Sequence, residues 1–325
     1  MAKSPLATIA HELNWAKVMK DGLSHQPYYR LALDDSEVIG ILPMVLVKTW
    51  WRARYLISLP WIDYGGVLAD DAEAAAMLYE EARRLAKREN AQFAEFRTVE
   101  PGDFDLALLT NKVTFLLELA ADPDEIWKSF NAKLRNQIRK AEKSGLTTEF
   151  AGIDGLTEFY KVFAFNMRDL GTPVWGRNFF ESILKAFPDS ARLILVKKEG
   201  LTIAGGLVLA FKDRLYVPSA SAYRDYLKYC PNHALYWAVI NKGCEEGRKF
   251  FDFGRSALDS STFKFKIQWV PQPTQLTWQY HLNLIDAIPA INPHNPKYRL
   301  FINIWRRLPL PIANFLGPKL IKNFP

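Results

Sequence analysis

The chain has 325 residues, 49% apolar and 24% charged, enough for two ordinary domains with sizeable cores and unlike a disordered or fibrous protein. Its two cysteines, Cys230 and Cys244, argue against a disulfide framework and leave no C-x-x-C for a zinc site, which suits a reducing compartment. The net charge of +7 is unevenly placed: residues 287–325 carry six Lys/Arg and no Asp/Glu, and a second basic patch spans 128–143. Such surfaces favour phosphate-bearing partners, with plain solubility as the simpler alternative.

In chain order, the pattern predicts a helix over 9–19, strands over 28–33 and 38–48 around Asp34-Asp35-Ser36, and a strand over 55–59. The loop Trp61-Ile-Asp-Tyr-Gly-Gly66 follows, then an Ala-, Leu-, Glu- and Arg-rich helix over 72–88 and strands over 93–98 and 113–118. Asp122-Pro-Asp-Glu125 is a strong helix start, opening a helix over 125–144 closed by Gly145. A domain boundary is expected just before it, giving domains at 1–121 and 122–285. The second half repeats the order with helices over 156–168 and 178–186, a hairpin over 192–211 around Lys198-Glu-Gly200, and a strand over 215–222. A helix over 233–246, a strand over 249–253 and another over 276–282 complete it. Strand–helix–strand order implies a parallel pair in an otherwise antiparallel sheet. The expected class is α/β (α+β), a duplicated unit.

Several chemistries lack their motifs. There is no G-x-S-x-G, no G-x-G-x-x-G, no second His at zincin spacing after His11-Glu12, and no metal-ligand cluster. Gly171 to Gly176 has P-loop glycine spacing, but Arg177 and Asn178 stand where Lys and Ser/Thr are needed. No apolar stretch near the first residues is long enough for a signal peptide, and no 18-residue apolar run exists. The expectation is a cytoplasmic protein.

Four stretches could carry chemistry. On the 125–144 helix, Arg135 and Arg139 stand one turn apart and could grip one phosphate, the alternative being a solvated basic face. In Phe250-Phe-Asp-Phe-Gly-Arg-Ser256, a strand tip presents Asp252 and Gly254 to a ligand, or Asp252 merely satisfies loop amides. Thr262-Phe-Lys-Phe-Lys-Ile-Gln-Trp269 alternates as a strand would, with Lys264, Lys266 and Gln268 on the polar face. In the 61–66 loop, Asp63 and Tyr64 beside Gly65-Gly66 form a turn or a substrate loop.

The ordered series N-x-K-x-R-N-Q-I-R-K-A-E-K-S-G, F-D-F-G-R-S and F-K-F-K-I-Q-W resembles FemAB-like acyltransferases. It is most similar to the subgroup associated with exosortase and exopolysaccharide gene clusters. Leu42-Pro43, Leu59-Pro60 and Tyr64-Gly-Gly66 fit the same subgroup, and the match runs over about residues 10–285. The resemblance implies two tandem GNAT-like domains, an aminoacyl-tRNA donor and a cell-wall or envelope acceptor. It implies that Phe265-Lys266 sits at the donor end, with Lys266 stabilising the transition state, and that Asp63 is the acidic residue near the acceptor. The substrate contacts expected with them are Tyr64, Arg135, Arg139, Tyr223, Asp252, Arg255, Lys264, Phe265 and Trp269. Ile267-Gln268-Trp269 departs from the glycine-containing continuation of the peptidoglycan enzymes. The stretch equivalent to the CoA pyrophosphate loop, 223–232, has no glycine, which counts against acyl-CoA as donor, although the helix start near His233 could attract an anion.

The implied reaction is direct attack of an acceptor amine or hydroxyl on an activated acyl carbonyl, with Lys266 holding the oxyanion and neither metal nor separate cofactor. The segment 286–325 reads as a basic amphipathic tail, with Leu300, Phe301, Ile304, Trp305 and Leu308 on one helical face and breaks at Pro309 and Pro311. It either contacts the cytoplasmic face of the inner membrane or packs on its own domain. A membrane contact would suit a lipid-linked saccharide acceptor. The competing functions are a CoA-dependent N- or O-acyltransferase and a non-catalytic scaffold or RNA-binding protein.

Overall fold

The computed structural model describes residues 4, 6–99, 101–289 and 296–324. The chain forms two compact units, one of Met1–Lys112, Gln275–Asn292 and Lys319–Pro325, the other of Val113–Thr274 and Pro293–Pro318.

The first unit opens with a 3-10 turn at Ile9–His11, where Thr8 and His11 close a capping box, and only then with α1 (Asn14–Leu23). The single helix expected over 9–19 is therefore two pieces, because the capping box ends the first turn before the second begins. β1 (Gln26–Asp34) and β2 (Glu37–Lys48) form the expected antiparallel hairpin, with Asp35 in the left-handed region. β3 (Arg54–Ser58), β4 (Leu68–Ala69), α2 (Ala72–Arg88), β5 (Phe93–Thr98) and β6 (Ala107–Thr114) follow. α2 starts because the Asp71 carboxylate accepts the Ala74 N–H, and ends with Lys87 and Arg88 against the dipole. Its Leu78, Tyr79, Ala82 and Leu85, spaced three and four apart, pack on Leu42, Met44, Leu46 and Phe96 of the sheet. β3 and β5 are parallel across α2. The sheet order runs β1-β2-β3-β5-β14-β6, where β14 is Thr274–Leu282, with β4 beside β2.

The second unit runs β7 (Leu116–Glu118), α3 (Pro123–Ser129), α4 (Ala132–Lys143), β8 (Leu146–Ala151), α5 (Leu156–Leu170) and α6 (Arg177–Ala186). It continues with β9 (Ala191–Lys198), β10 (Leu201–Phe211), β11 (Arg214–Ala222), α7 (Pro231–Glu245), β12 (Phe250–Asp252), β13 (Ser256–Ala257) and α8 (Ser261–Lys266). Its sheet order is β7-β12-β11-β10-β9-β8. β11 and β12 are parallel across α7, as the strand–helix–strand order requires, and the β9–β10 hairpin turns at Glu199-Gly200. The core beneath α4 and α7 gathers Leu134, Ile138, Ile194, Leu235, Val239, Phe251 and Phe253.

Further expectations differ. The helix expected over 125–144 is two helices: Phe130 is extended, and the Asn131 side chain caps a new start by accepting the Leu134 N–H. The strand expected over 113–118 is divided between β6 and β7. The unit boundary falls at Lys112/Val113 rather than at 121/122, and β14 (Thr274–Leu282), expected in the second domain, pairs antiparallel with β5 of the first. β7 lies beyond that boundary because it is hydrogen-bonded to β12.

The C-terminal segment forms α9 (Pro296–Arg307) and α10 (Leu310–Ile321). α9 packs on α5, and Trp305 is buried. Gly171, the left-handed cap of α5, makes that approach possible: a Cβ there would lie 2.5 Å from Ile302 Cγ2. Leu300, Phe301 and Ile304 stay exposed. Trp305 therefore leaves the outward apolar face expected of it. Among the described residues, no helix is long and apolar enough to cross a membrane.

Candidate active site

In the second unit, the loop leaving β12 is gripped from two sides. The Asp252 carboxylate, fully buried, accepts hydrogen bonds from Thr114 Oγ1 (2.9 Å) and from the Gly254 N–H (2.8 Å), and Arg214 stands 3.7 Å away. Asp252 thus serves the loop amide rather than facing a ligand, and Gly254 takes the left-handed backbone that this turn needs. From the other side, Lys266 Nζ donates to the carbonyls of Gly254 and Arg255, each at 2.9 Å. Lys266 is 7% exposed, so its ammonium is a buried charge compensated by two carbonyl dipoles.

Lys266 reaches that position because 261–266 is helical, against the expected alternating strand. Ser260 Oγ accepts the Phe263 N–H and starts α8. At 100° per residue, Lys264 and Lys266 point to opposite sides rather than sharing a polar face: Lys264 is exposed and Lys266 buried. Phe265 packs half-buried on His233 and Tyr236, with ring centroids 5.0 and 5.5 Å apart. Trp269, 2% exposed, lies among Phe130, Phe253 and His233 and is a core residue rather than a substrate contact.

His233 is the residue that the sequence reading passed over. It occupies the first turn of α7, and burial lowers its pKa to about 4, so the ring is neutral near pH 7. Among the described residues its Nε2 has no hydrogen-bond partner, nor do Ser256 Oγ and Trp269 Nε1. Only the fold brings His233 to Phe265, 32 residues later, and no local spacing signals it.

The remaining expected contacts are placed separately. Arg135 and Arg139 are one turn apart on α4; Arg139 is exposed and stacks 5.1 Å from the Trp127 ring. Tyr223 packs its ring 5.1 Å from Phe165, and burial pushes its hydroxyl pKa up. The glycine-free stretch after it is a 3-10 turn, Arg224–Tyr229, followed by left-handed Cys230 and by Pro231 at the first position of α7. A proline there removes one N–H from any anion cradle at this helix start. Two open clefts on this unit, of about 480 and 570 Å3, are lined by other residues, including Arg192 and Arg248 in one and Trp237 and Asn241 in the other.

In the first unit, Asp63 and Tyr64 are buried within the expected 61–66 loop. Leu59 (φ 60°) and Trp61 (φ 76°) hold left-handed backbone, a strain that needs outside support. Arg97 supplies it. Its Nη1 donates to Ile62 O (2.8 Å), its carbonyl accepts the Gly66 N–H (2.9 Å), and its Nε meets Glu95 Oε1 at 2.6 Å. Tyr280 donates to the other Glu95 oxygen, and Trp278 stacks 4.3 Å from the guanidinium. Gly66 sits so close to β5 that a Cβ would lie 2.3 Å from Thr98 Cγ2.

Residues 128–266 match the family model described as an acetyltransferase (GNAT) domain. No curated protein matches the chain. Among solved structures, FemX aligns with a TM-score of 0.65 at 16% identity, covering 93% of this chain and 96% of its own. L-PGS from Bacillus licheniformis aligns at 0.55 and 14%, covering 91% and 96%. The C-terminal domain of a putative lysylphosphatidylglycerol synthetase from Agrobacterium fabrum aligns at 0.57 and 14%, covering 82% and 86%. The second unit thus matches an acetyltransferase (GNAT) domain over residues 128–266, and the two sheets flanked by helices form a tandem GNAT-like fold like that of FemX.

Proposed function

We propose that the chain transfers an acyl or aminoacyl group from an activated donor to an amine or hydroxyl of an envelope or exopolysaccharide precursor, as in the exosortase-associated FemAB-like subgroup. The observation that carries this reading is Lys266, a buried ammonium fixed by two carbonyls at the end of β12 inside the GNAT domain. The acceptor attacks the acyl carbonyl, its proton leaves to solvent or a nearby base, and the tetrahedral oxyanion collapses by expelling the donor's leaving group. Lys266 faces the developing negative charge; one such donor is typically worth about 3 kcal/mol. Asp63 would orient the acceptor. Lys264, Arg255 and the basic face of α4, with Arg135 and Arg139, would hold donor phosphates.

Aminoacyl-tRNA is the favoured donor, because the stretch before α7 offers neither glycines nor an N–H at Pro231 to cradle a pyrophosphate. The second reading, an acyl-CoA donor, draws on the GNAT match. The lipid in the name of one structural neighbour, the putative lysylphosphatidylglycerol synthetase, suits a lipid-linked acceptor, and residues 287–325 would then contact the cytoplasmic face of the inner membrane. The test offers labelled aminoacyl-tRNA and acyl-CoA to the full chain with a crude glycolipid fraction; transfer from neither rejects the proposal. Lys266→Ala should lower kcat about 100-fold or more, with the donor KM little changed. It should also lower Tm, because two carbonyls lose their donor. A lower Tm with turnover near that of the parent would assign Lys266 to structure alone.

A further inference from the structure

The first unit carries an aromatic and basic feature that acyl transfer does not use. The tip of the β2–β3 hairpin is a closed turn: Thr49 N and Oγ1 both donate to Ala53 O, and Arg52 adopts φ 66°. It holds Trp50 and Trp51 outward, 75% and 44% exposed, with their rings 6.1 Å apart. The C-terminal residues complete the patch. The Trp50 N–H donates to Asn323 Oδ1 (3.1 Å), Asn323 is itself buried, and the half-exposed Phe324 ring lies 5.5 Å from Trp51. A well-bonded turn that presents two tryptophans and a phenylalanine to water is organised for something other than the core.

A cleft of about 460 Å3 opens beside the base of that hairpin, where β1 begins and β2 ends. Lys20, His25, Gln26 and Lys48 line it, no Asp or Glu is among its lining residues, and Lys48 Nζ lies 3.4 Å from Gln26 Oε1. Lys322, two residues before Phe324, is close enough to His25 to disfavour its protonation. Positive charge is thus gathered at the base of an aromatic tip. That order of groups, ring atoms outermost and ammonium groups behind them, matches the order met on entering an anionic bilayer, where aromatic rings settle at the headgroup level and lysines meet phosphates.

We propose that the cleft and the hairpin tip form a docking site for an anionic phospholipid surface, with Lys20, Lys48 and Lys322 taking a headgroup phosphate while Trp50, Trp51 and Phe324 enter the interface. The site lies in the first unit and uses none of the residues assigned to the transfer chemistry; it shares Lys322 and Phe324 with the membrane contact proposed for residues 287–325, and vesicle binding tests it separately from transfer activity.

The test is co-sedimentation of the full chain with phosphatidylglycerol-containing vesicles and with pure phosphatidylcholine vesicles. Binding should favour the anionic vesicles and weaken as salt rises. The double variant Trp50→Ser/Trp51→Ser and the double variant Lys48→Glu/Lys322→Glu should each weaken it by about 10-fold or more. Circular dichroism and Tm serve as fold controls. Variants that fold and bind as the parent does would overturn the proposal, as would equal binding to both vesicle types. Loss of vesicle binding in millimolar inorganic phosphate at constant ionic strength would assign the cleft to free phosphate instead. Light scattering that shows a dimer dissolved by the tryptophan changes would assign the tip to a second copy of the chain.

Discussion

His25 in the first unit is buried and His233 in the second half-buried, and burial lowers both pKa values to about 4, with the Lys322 charge adding to the effect at His25. In the unfolded chain both rings titrate near the ordinary 6.5, so between these values the unfolded state binds more protons. The stability they contribute is complete above about pH 6.5 and is lost as pH falls toward 4. At about 1.4 kcal/mol per pH unit, each ring accounts for up to roughly 3 kcal/mol over that window. His281 is lowered in the same direction, again chiefly by burial. Urea unfolding between pH 7.5 and 4.5 should therefore show steep acid destabilisation, and His233→Gln should flatten it. An unchanged pH slope in His233→Gln would mean that the ring is protonated in the folded protein.

At the scale of elements, α8 depends on its cap. Its six residues make few internal hydrogen bonds, so the bond from the Phe263 N–H to Ser260 Oγ is a large share of what defines it. Ser260→Ala should cost about 1 kcal/mol by chemical denaturation. It should also reduce turnover, because α8 carries Lys266 to the Gly254 and Arg255 carbonyls. A variant with unchanged stability and turnover would show that Phe263, Phe265 and Trp269 packing alone positions the lysine. The same element shows where sequence reading runs out. Phe263, Phe265 and Ile267 alternate with lysines as a strand would, and over eight residues the period of two outweighs a helical pattern that depends on burying a lysine. What makes Lys266 buriable is a pair of carbonyls 11 and 12 residues earlier, which no periodicity reports. Asp252 went the same way: its position at a strand tip was legible, whereas its partners Thr114 and Arg214 come from other strands. The long elements were easier. α2 and the β9–β10 hairpin carry their own start, stop and turn signals, so local chemistry and final fold agree.

At the scale of the molecule, the path of the chain is the feature least visible in the sequence. Two halves with similar element order suggested a division into successive domains, yet the first sheet is completed only when β14 returns after Val113–Thr274 of the second unit. Trp278, Gln279 and Tyr280 on β14 bond or stack with Arg97, Tyr79 and Glu95, so residues 1–121 alone would leave the Glu95–Arg97 pair without part of its cover. Exposing part of a buried ion pair, together with losing a whole paired strand, removes a large part of a domain's marginal stability. The fragment 1–121 should therefore show no cooperative unfolding transition. The same strand suggests a remedy, because the points where the first unit breaks off and resumes meet: Gln275 Nε2 donates to the Lys112 carbonyl at 2.6 Å. A short glycine-rich turn joining Lys112 to Gln275, with β14 following, would return the missing strand without the second unit. That shortened chain should unfold cooperatively in urea where 1–121 does not. Cooperative unfolding of 1–121 itself would show that β14 is dispensable to the first unit and that the division near residue 121 describes independent folding after all.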